Sequence, residues 1–124
     1  MSWQDYVDHQ LIKQGLAHAA FIGDDLAVWA SSEGFYLSEA ERQAMFDAFK
    51  NPYHVYESGL DLAERHFSAV VADDRIIKVT QGKNGAMLVK MKSFIIVGEY
   101  GALPPVQAQH FISKVADYLT SAGY

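Results

Sequence analysis

Residues 66 to 100 constrain the fold more than any other stretch, because apolar and polar side chains alternate there and only short turn sequences interrupt the pattern. Period-two alternation is the signature of strands. His66 to Ala72, Arg75 to Thr80, Ala86 to Lys92 and Phe94 to Tyr100 therefore read as strands, with turns at Asp73-Asp74 and Gln81-Gly82-Lys83-Asn84-Gly85. Four strands joined this tightly form an antiparallel meander, since parallel neighbours need crossovers of about a dozen residues.

Around that meander the spacing changes. Ser2 with Asp5 is a capping-box-like start, and Trp3, Tyr6, Val7 and Leu11 extend a helix to about Lys13, where Gly15 supplies the stop. Ala19 to Ile22 and Ala27 to Ala30 flank Gly23-Asp24-Asp25-Leu26 and read as a hairpin. Trp29, in its second strand, can fill the core or stand on the side of the first helix. Ser38 with Glu41 is a second capping box, followed by the apolar stripe Ala44, Met45, Phe46 and Phe49, which ends before Pro52. Tyr53 to Gly59 reads as a loop. Gly101 to Pro105 ends the meander, and Pro105 opens a last helix with Phe111, Ile112, Val115 and Leu119 as its buried stripe, ending near Gly123. Tyr118 falls at the edge of that stripe. The order helix, hairpin, helix, meander, helix describes one α+β domain over residues 1–124, with both terminal helices free to cover one sheet face.

Several function classes are disfavoured. With 124 residues, 50% of them hydrophobic, the chain can build a sizeable core, and its net charge of −5 argues against a general nucleic-acid binder. It has no cysteine, hence no disulfide or thiolate chemistry. No run approaches a membrane span and the polar start lacks signal-peptide regions, so a cytosolic monomer is expected. Histidines 9, 18, 54, 66 and 110 have no metal-ligand spacing, and no metal, cofactor or enzymatic activity is expected. Asp24-Asp25 and Asp73-Asp74 sit at turns, where Asp is favoured for its backbone hydrogen bonds. Gly82-Lys83-Asn84-Gly85 lacks phosphate-loop spacing and reads as a hairpin turn.

The terminal aromatics remain. Trp3 and Tyr6 share a helix face, yet a chain terminus is a poor place to bury a tryptophan unless something ties it down or a partner uses it. Six short motifs run in order through the chain: Ser2-Trp3-Gln4 with Tyr6-Val7-Asp8, Val28-Trp29-Ala30, Ala72-Asp73-Asp74-Arg75, Val89-Lys90, Ile95-Ile96-Val97-Gly98 with Tyr100, and Ala116-Asp117-Tyr118-Leu119 with Gly123-Tyr124. In these the chain resembles the profilins from end to end. The resemblance implies a six-stranded antiparallel sheet with the terminal helices together on one face and a short helix on the other. It implies binding of monomeric actin, of proline-rich segments of assembly factors and of phosphoinositide head groups, in the cytoplasm with the actin cytoskeleton. The matching polyproline positions are Trp3, Tyr6, Trp29, Tyr118 and Tyr124. Those for actin are Arg75, Lys83 and Lys90, and those for phosphoinositides are Arg75, Lys78, Lys83, Lys90 and Lys92. The chain departs from many relatives at Thr80-Gln81-Gly82, where a basic pair precedes the glycine, at Ser113, and at Leu26, where a glycine is common; Asp25 is expected to take the left-handed position. A rival reading is a small-molecule sensor or trafficking module, which would bury the aromatics around a cavity.

Overall fold

A computed structural model describes residues 1–124. The first helix, α1 (Trp3–Asp5), starts on the expected capping box: the Asp5 N–H donates to Ser2 Oγ and the Ser2 N–H to the Asp5 carboxylate, each at 3.1 Å. It continues as a π-helical segment, Tyr6–Ile12, in which the Lys13 N–H reaches back five residues to the Asp8 carbonyl at 3.0 Å. The hairpin follows as β1 (His18–Gly23) and β2 (Val28–Ser31), then α2 (Glu39–Lys50) on its own complete capping box, and α3 (Pro52–Ser58). The meander comprises β3 (Leu60–Leu62), β4 (Arg65–Ala72), β5 (Ile76–Gln81), β6 (Asn84–Lys90) and β7 (Phe94–Glu99), and α4 (Pro105–Ser121) closes the chain.

The strands form one antiparallel sheet in the order β2-β1-β7-β6-β5-β4-β3. Alternation assigns its two faces to two cores. Ile22, Ile77, Leu88, Ile95 and Val97 pack with Met45, Phe46 and Phe49 of α2, while Phe21, Met87, Val89, Phe94 and Ile96 pack with Val7, Leu11, Ile112, Val115 and Leu119 of the terminal helices. The terminal helices thus share one face and α2 covers the other.

Four expectations need correction. The sheet has seven strands, because β3 adds a short edge through a two-residue turn whose Ala63 (φ 52°) and Glu64 (φ 65°) both lie in the left-handed region. That turn lacks the usual Asn or Gly, and it is held by Glu41, whose Oε2 accepts the Glu64 N–H at 2.8 Å. Residues 52–58 are helical, since Pro52 suits a first helical position; only Val55 is buried, so no apolar stripe announced it. Leu26 itself, not Asp25, takes the left-handed position (φ 69°), while Asp25 Oδ1 accepts the Ala27 N–H at 3.0 Å. Ala44 is exposed and Phe111 only half-buried, each at the edge of its stripe.

Candidate functional site

Both ends of the chain meet at one corner of the terminal-helix face. Trp3 lies at the centre of a ring cluster, its centroid 5.2 Å from Tyr124 in an edge-on contact, 5.4 Å from Trp29 and 6.1 Å from Tyr6. Tyr6 in turn lies 6.3 Å from Tyr118. All five aromatics proposed from the sequence are therefore brought together. Trp29 stands on the helix side of the sheet, half-buried, and the floor beneath the cluster is made by others. Phe21 and Phe94, both fully buried, lie 5.7 and 5.3 Å from Trp3. Sequence reading missed these two, although their positions on alternating strands already aim them at the helices.

Local structure fixes each ring. Gln4 clamps the helix start to the edge strand β2: its Nε2 donates to the Ser31 carbonyl at 2.8 Å and its Oε1 accepts the Ser31 N–H at 3.3 Å. The indole of Trp29 lies so close over Gly23 that a β-carbon there would sit 2.4 Å from its Nε1, so this position has to lack one. At the other end, α4 finishes in a Schellman motif. Gly123 adopts φ 100°, its N–H donates to the Thr120 carbonyl at 3.1 Å, and the Tyr124 N–H donates to the Leu119 carbonyl at 2.9 Å. The Lys92 N–H then binds the Tyr124 carbonyl at 3.2 Å, tying the last residue to the β6–β7 turn. Tyr124 and Tyr118 remain 46% and 59% exposed, so the cluster opens to solvent and does not enclose a cavity.

The π-helical turn extends the site. Met1, Tyr6, Gln10 and Gln14, spaced five, four and four apart, line one wall of a groove of about 370 Å³, and Phe111, Lys114, Val115 and Tyr118 of α4 line the other. Desolvation in this wall pushes the Tyr6 phenol above its ordinary range, and the neighbouring Tyr118 adds to the shift. Rings with phenol or indole donors at their rims can stack on flat apolar ligand groups while donating to carbonyls.

The basic residues are distributed differently. Arg75 and Lys90 are neighbours at one end of the sheet, where the Lys90 N–H donates to the Arg75 carbonyl at 2.8 Å. Lys92 lies in the adjacent β6–β7 turn. Lys83 occupies the β5–β6 turn at the opposite end, a β5 length of roughly 17 Å away at about 3.4 Å per residue. Lys78 lies between them on the terminal-helix face, paired with Met87. The five cations therefore do not form a single cluster. Lys90 is also engaged, with Nζ 3.3 Å from Asp24 Oδ1 and 2.6 Å from the Met91 carbonyl. Because α4 packs on β6 and β7, the terminal-helix faces of β4 and β5 stay uncovered, and Val70 and Val71 are exposed there. Asp73 serves its turn: its Oδ1 accepts the Arg75 and Ile76 N–H groups at 2.8 and 2.7 Å, which holds the carboxyl below its ordinary range.

The profilin family model matches residues 1–124. The chain belongs to the profilin family. It is 40% identical to Profilin-1A of Acanthamoeba castellanii over 126 residues, covering 100% of both chains, and 32% identical to the profilin of Drosophila melanogaster at the same coverage. Among solved structures it superposes on Acanthamoeba castellanii profilin IA with a TM-score of 0.94 at 38% identity, over 99% of this chain and 100% of that one. It also shares the fold of mouse profilin IIa in complex with a double repeat from the FH1 domain of mDia1, with a TM-score of 0.73 at 18% identity and 100% coverage of both. No helix of this profilin is long and apolar enough to cross a membrane.

Proposed function

We propose that this profilin binds monomeric actin on one surface and proline-rich segments on another, and so regulates actin polymerisation by delivering actin to assembly factors. Profilins are actin-binding regulators and not enzymes. The observation that carries the reading is the open aromatic cluster built from both chain ends. A polyproline II segment is stiff before binding, presents flat rings every third residue and leaves its carbonyls unpaired. Trp3, Tyr6, Trp29, Tyr118 and Tyr124 supply matching faces and donors, with Phe21 and Phe94 beneath them. A double FH1 repeat is the partner in the mouse profilin IIa complex, and a repeat of that kind is the ligand class proposed here.

Actin is assigned to the uncovered β4–β5 face, with Arg75 and Lys83 at its two ends; Lys90 sits at the Arg75 end, with its Nζ on the α2 side of the sheet, 5.8 Å from the Phe46 ring. Their spread suits a protein surface of about 800 Å² per partner and is too wide for one head group. Phosphoinositide binding is assigned to the Arg75, Lys90 and Lys92 end, helped by Lys78, with Lys83 too distant to share the same head group. The whole chain acts as one domain, in the cytoplasm with the actin cytoskeleton. The test separates the surfaces. Arg75→Glu with Lys90→Glu is expected to weaken actin-monomer binding at least about tenfold, with polyproline binding unchanged; equal affinity for actin would place that surface elsewhere. A sensor of small molecules is disfavoured because the aromatic cluster is open.

A further inference from the structure

On the α2 side of the sheet, across from the aromatic cluster and the uncovered β4–β5 face, α3 and the β4–β5 turn form an open pocket of about 360 Å³. Its side is fixed by Val55 of α3, buried in the α2-side core, and by Ala72, which packs against that core. Tyr53 and Tyr56, three apart on α3, bring two rings to it, and Asp73 and Asp74 bring two carboxylates; Pro52 and Ala72 complete the lining. Tyr56 is anchored, since its phenol oxygen accepts the Ala72 N–H at 2.9 Å. Tyr53 is 84% exposed. Asp73 holds its turn through Oδ1, which leaves Oδ2 without a partner, and the same bonds keep its carboxyl below the ordinary range and so charged. Asp74 is exposed and in no ion pair, even with the adjacent Arg75. No basic side chain lines the pocket.

We infer that this pocket receives an arginine side chain from a basic segment of a partner protein, as a third docking surface beside those for actin and proline-rich ligands. Two carboxylates with no cation among them attract positive charge and repel phosphate or carboxylate groups. The aromatic faces narrow the choice. A guanidinium is flat and weakly hydrated, so it can lie on a tyrosine ring while its fork of N–H groups donates to Asp74 and to Asp73 Oδ2. An ammonium group meets the same charge but has no face to stack and holds its water more tightly. Because the sheet separates this pocket from the other two surfaces, its occupation leaves both of them open.

The test is a nitrogen–proton correlation spectrum of the whole chain, titrated with the blocked peptide Gly-Ala-Arg-Ala-Gly and with its lysine and citrulline counterparts. The arginine peptide is expected to shift the amides of Tyr53, Tyr56, Asp73 and Asp74 with one dissociation constant. It should bind about tenfold tighter than the citrulline peptide, which keeps the plane and loses the charge, and measurably tighter than the lysine peptide. Asp74→Asn and Tyr53→Leu, at exposed side chains, should each weaken it about threefold or more, with the affinity for a proline decamer unchanged. Asp73 is left in place because its loss would undo the turn. Asp47→Asn removes the same charge from an exposed position on α2 and should have no effect. Shifts confined to other amides, or a citrulline peptide that binds as tightly, overturn the inference. An equally tight lysine peptide overturns the assignment to a guanidinium. If Asp47→Asn weakens binding as much as Asp74→Asn, the attraction belongs to the net charge of the chain and the pocket is no site.

Discussion

Replacing Glu99 should reveal how much of the stability resides in one half-hidden ionic contact. Its side chain is 3% exposed at the end of β7, and the Arg65 guanidinium, reaching across from β4, donates to both carboxylate oxygens at 2.5 and 2.7 Å. Asn84 adds a third hydrogen bond at 2.9 Å. Burial alone would push the Glu99 carboxyl up; the hydrogen bonds from Arg65 and Asn84 and the charge of Arg65 outweigh it and hold the group below its ordinary 4.5. Glu99→Ala removes one partner of a buried pair, for which the usual cost is about 3–5 kcal/mol. Because the Arg65 side chain is 36% exposed and water can take up part of its charge, the lower end, about 3 kcal/mol, is expected. Urea unfolding at pH 7 measures it, and Tm should fall by roughly 10 °C. The pH dependence gives a second readout. A carboxyl with a depressed folded-state pKa contributes stability that is present above its unfolded value and is lost as pH falls through the folded one. The wild type should therefore lose stability below about pH 4.5 more steeply than Glu99→Gln. Identical acid limbs in the two proteins, or a loss under about 1 kcal/mol for Glu99→Ala, would refute this reasoning.

Three further outcomes follow from local geometry. Gln4→Ala removes both contacts to Ser31 and should cost about 1 kcal/mol of polyproline affinity, read by fluorescence titration, with little change in actin binding. Gly98→Ala places a β-carbon 2.5 Å from Ile112 Cδ1 and 2.9 Å from Leu16 Cδ2, which should lift α4, cost about 1–3 kcal/mol in urea unfolding and weaken polyproline binding as well. Lys78→Glu, on the uncovered β5 face, should weaken actin binding and make the remaining affinity less sensitive to salt, with polyproline titrations unchanged.

What could be read from the residues alone was whatever local chemistry specifies. Both capping boxes form as spaced, and the hairpin and the strands of the meander fall within a few residues of their expected limits. Elements specified by contacts from elsewhere escaped. β3 depends on Glu41 to hold a turn with no turn-forming residues, and α3 buries only Val55, so neither leaves a pattern. The π-helical segment is likewise silent, since its spacing of apolar residues also fits an α-helix. At the candidate site the terminal aromatics were legible because large rings at a chain end call for an explanation. Their floor was not: Phe21 and Phe94 read as ordinary strand core until register places them under Trp3. The basic residues were individually correct as exposed or half-exposed strand and turn positions. Which sheet end each occupies depends on strand pairing, and only the fold separates Lys83 from Arg75.

The claim that most needs a direct reading is that the joined termini form the proline-binding groove. The two indole N–H resonances of the chain, from Trp3 and Trp29, report on it in a nitrogen–proton correlation spectrum. On titration with a proline decamer both should shift with one common dissociation constant, and Tyr118→Ala, at an exposed ring, should weaken that constant without unfolding the protein. Indole resonances that stay in place while the decamer binds, or that do not respond at saturating decamer, would contradict the assignment of the cluster.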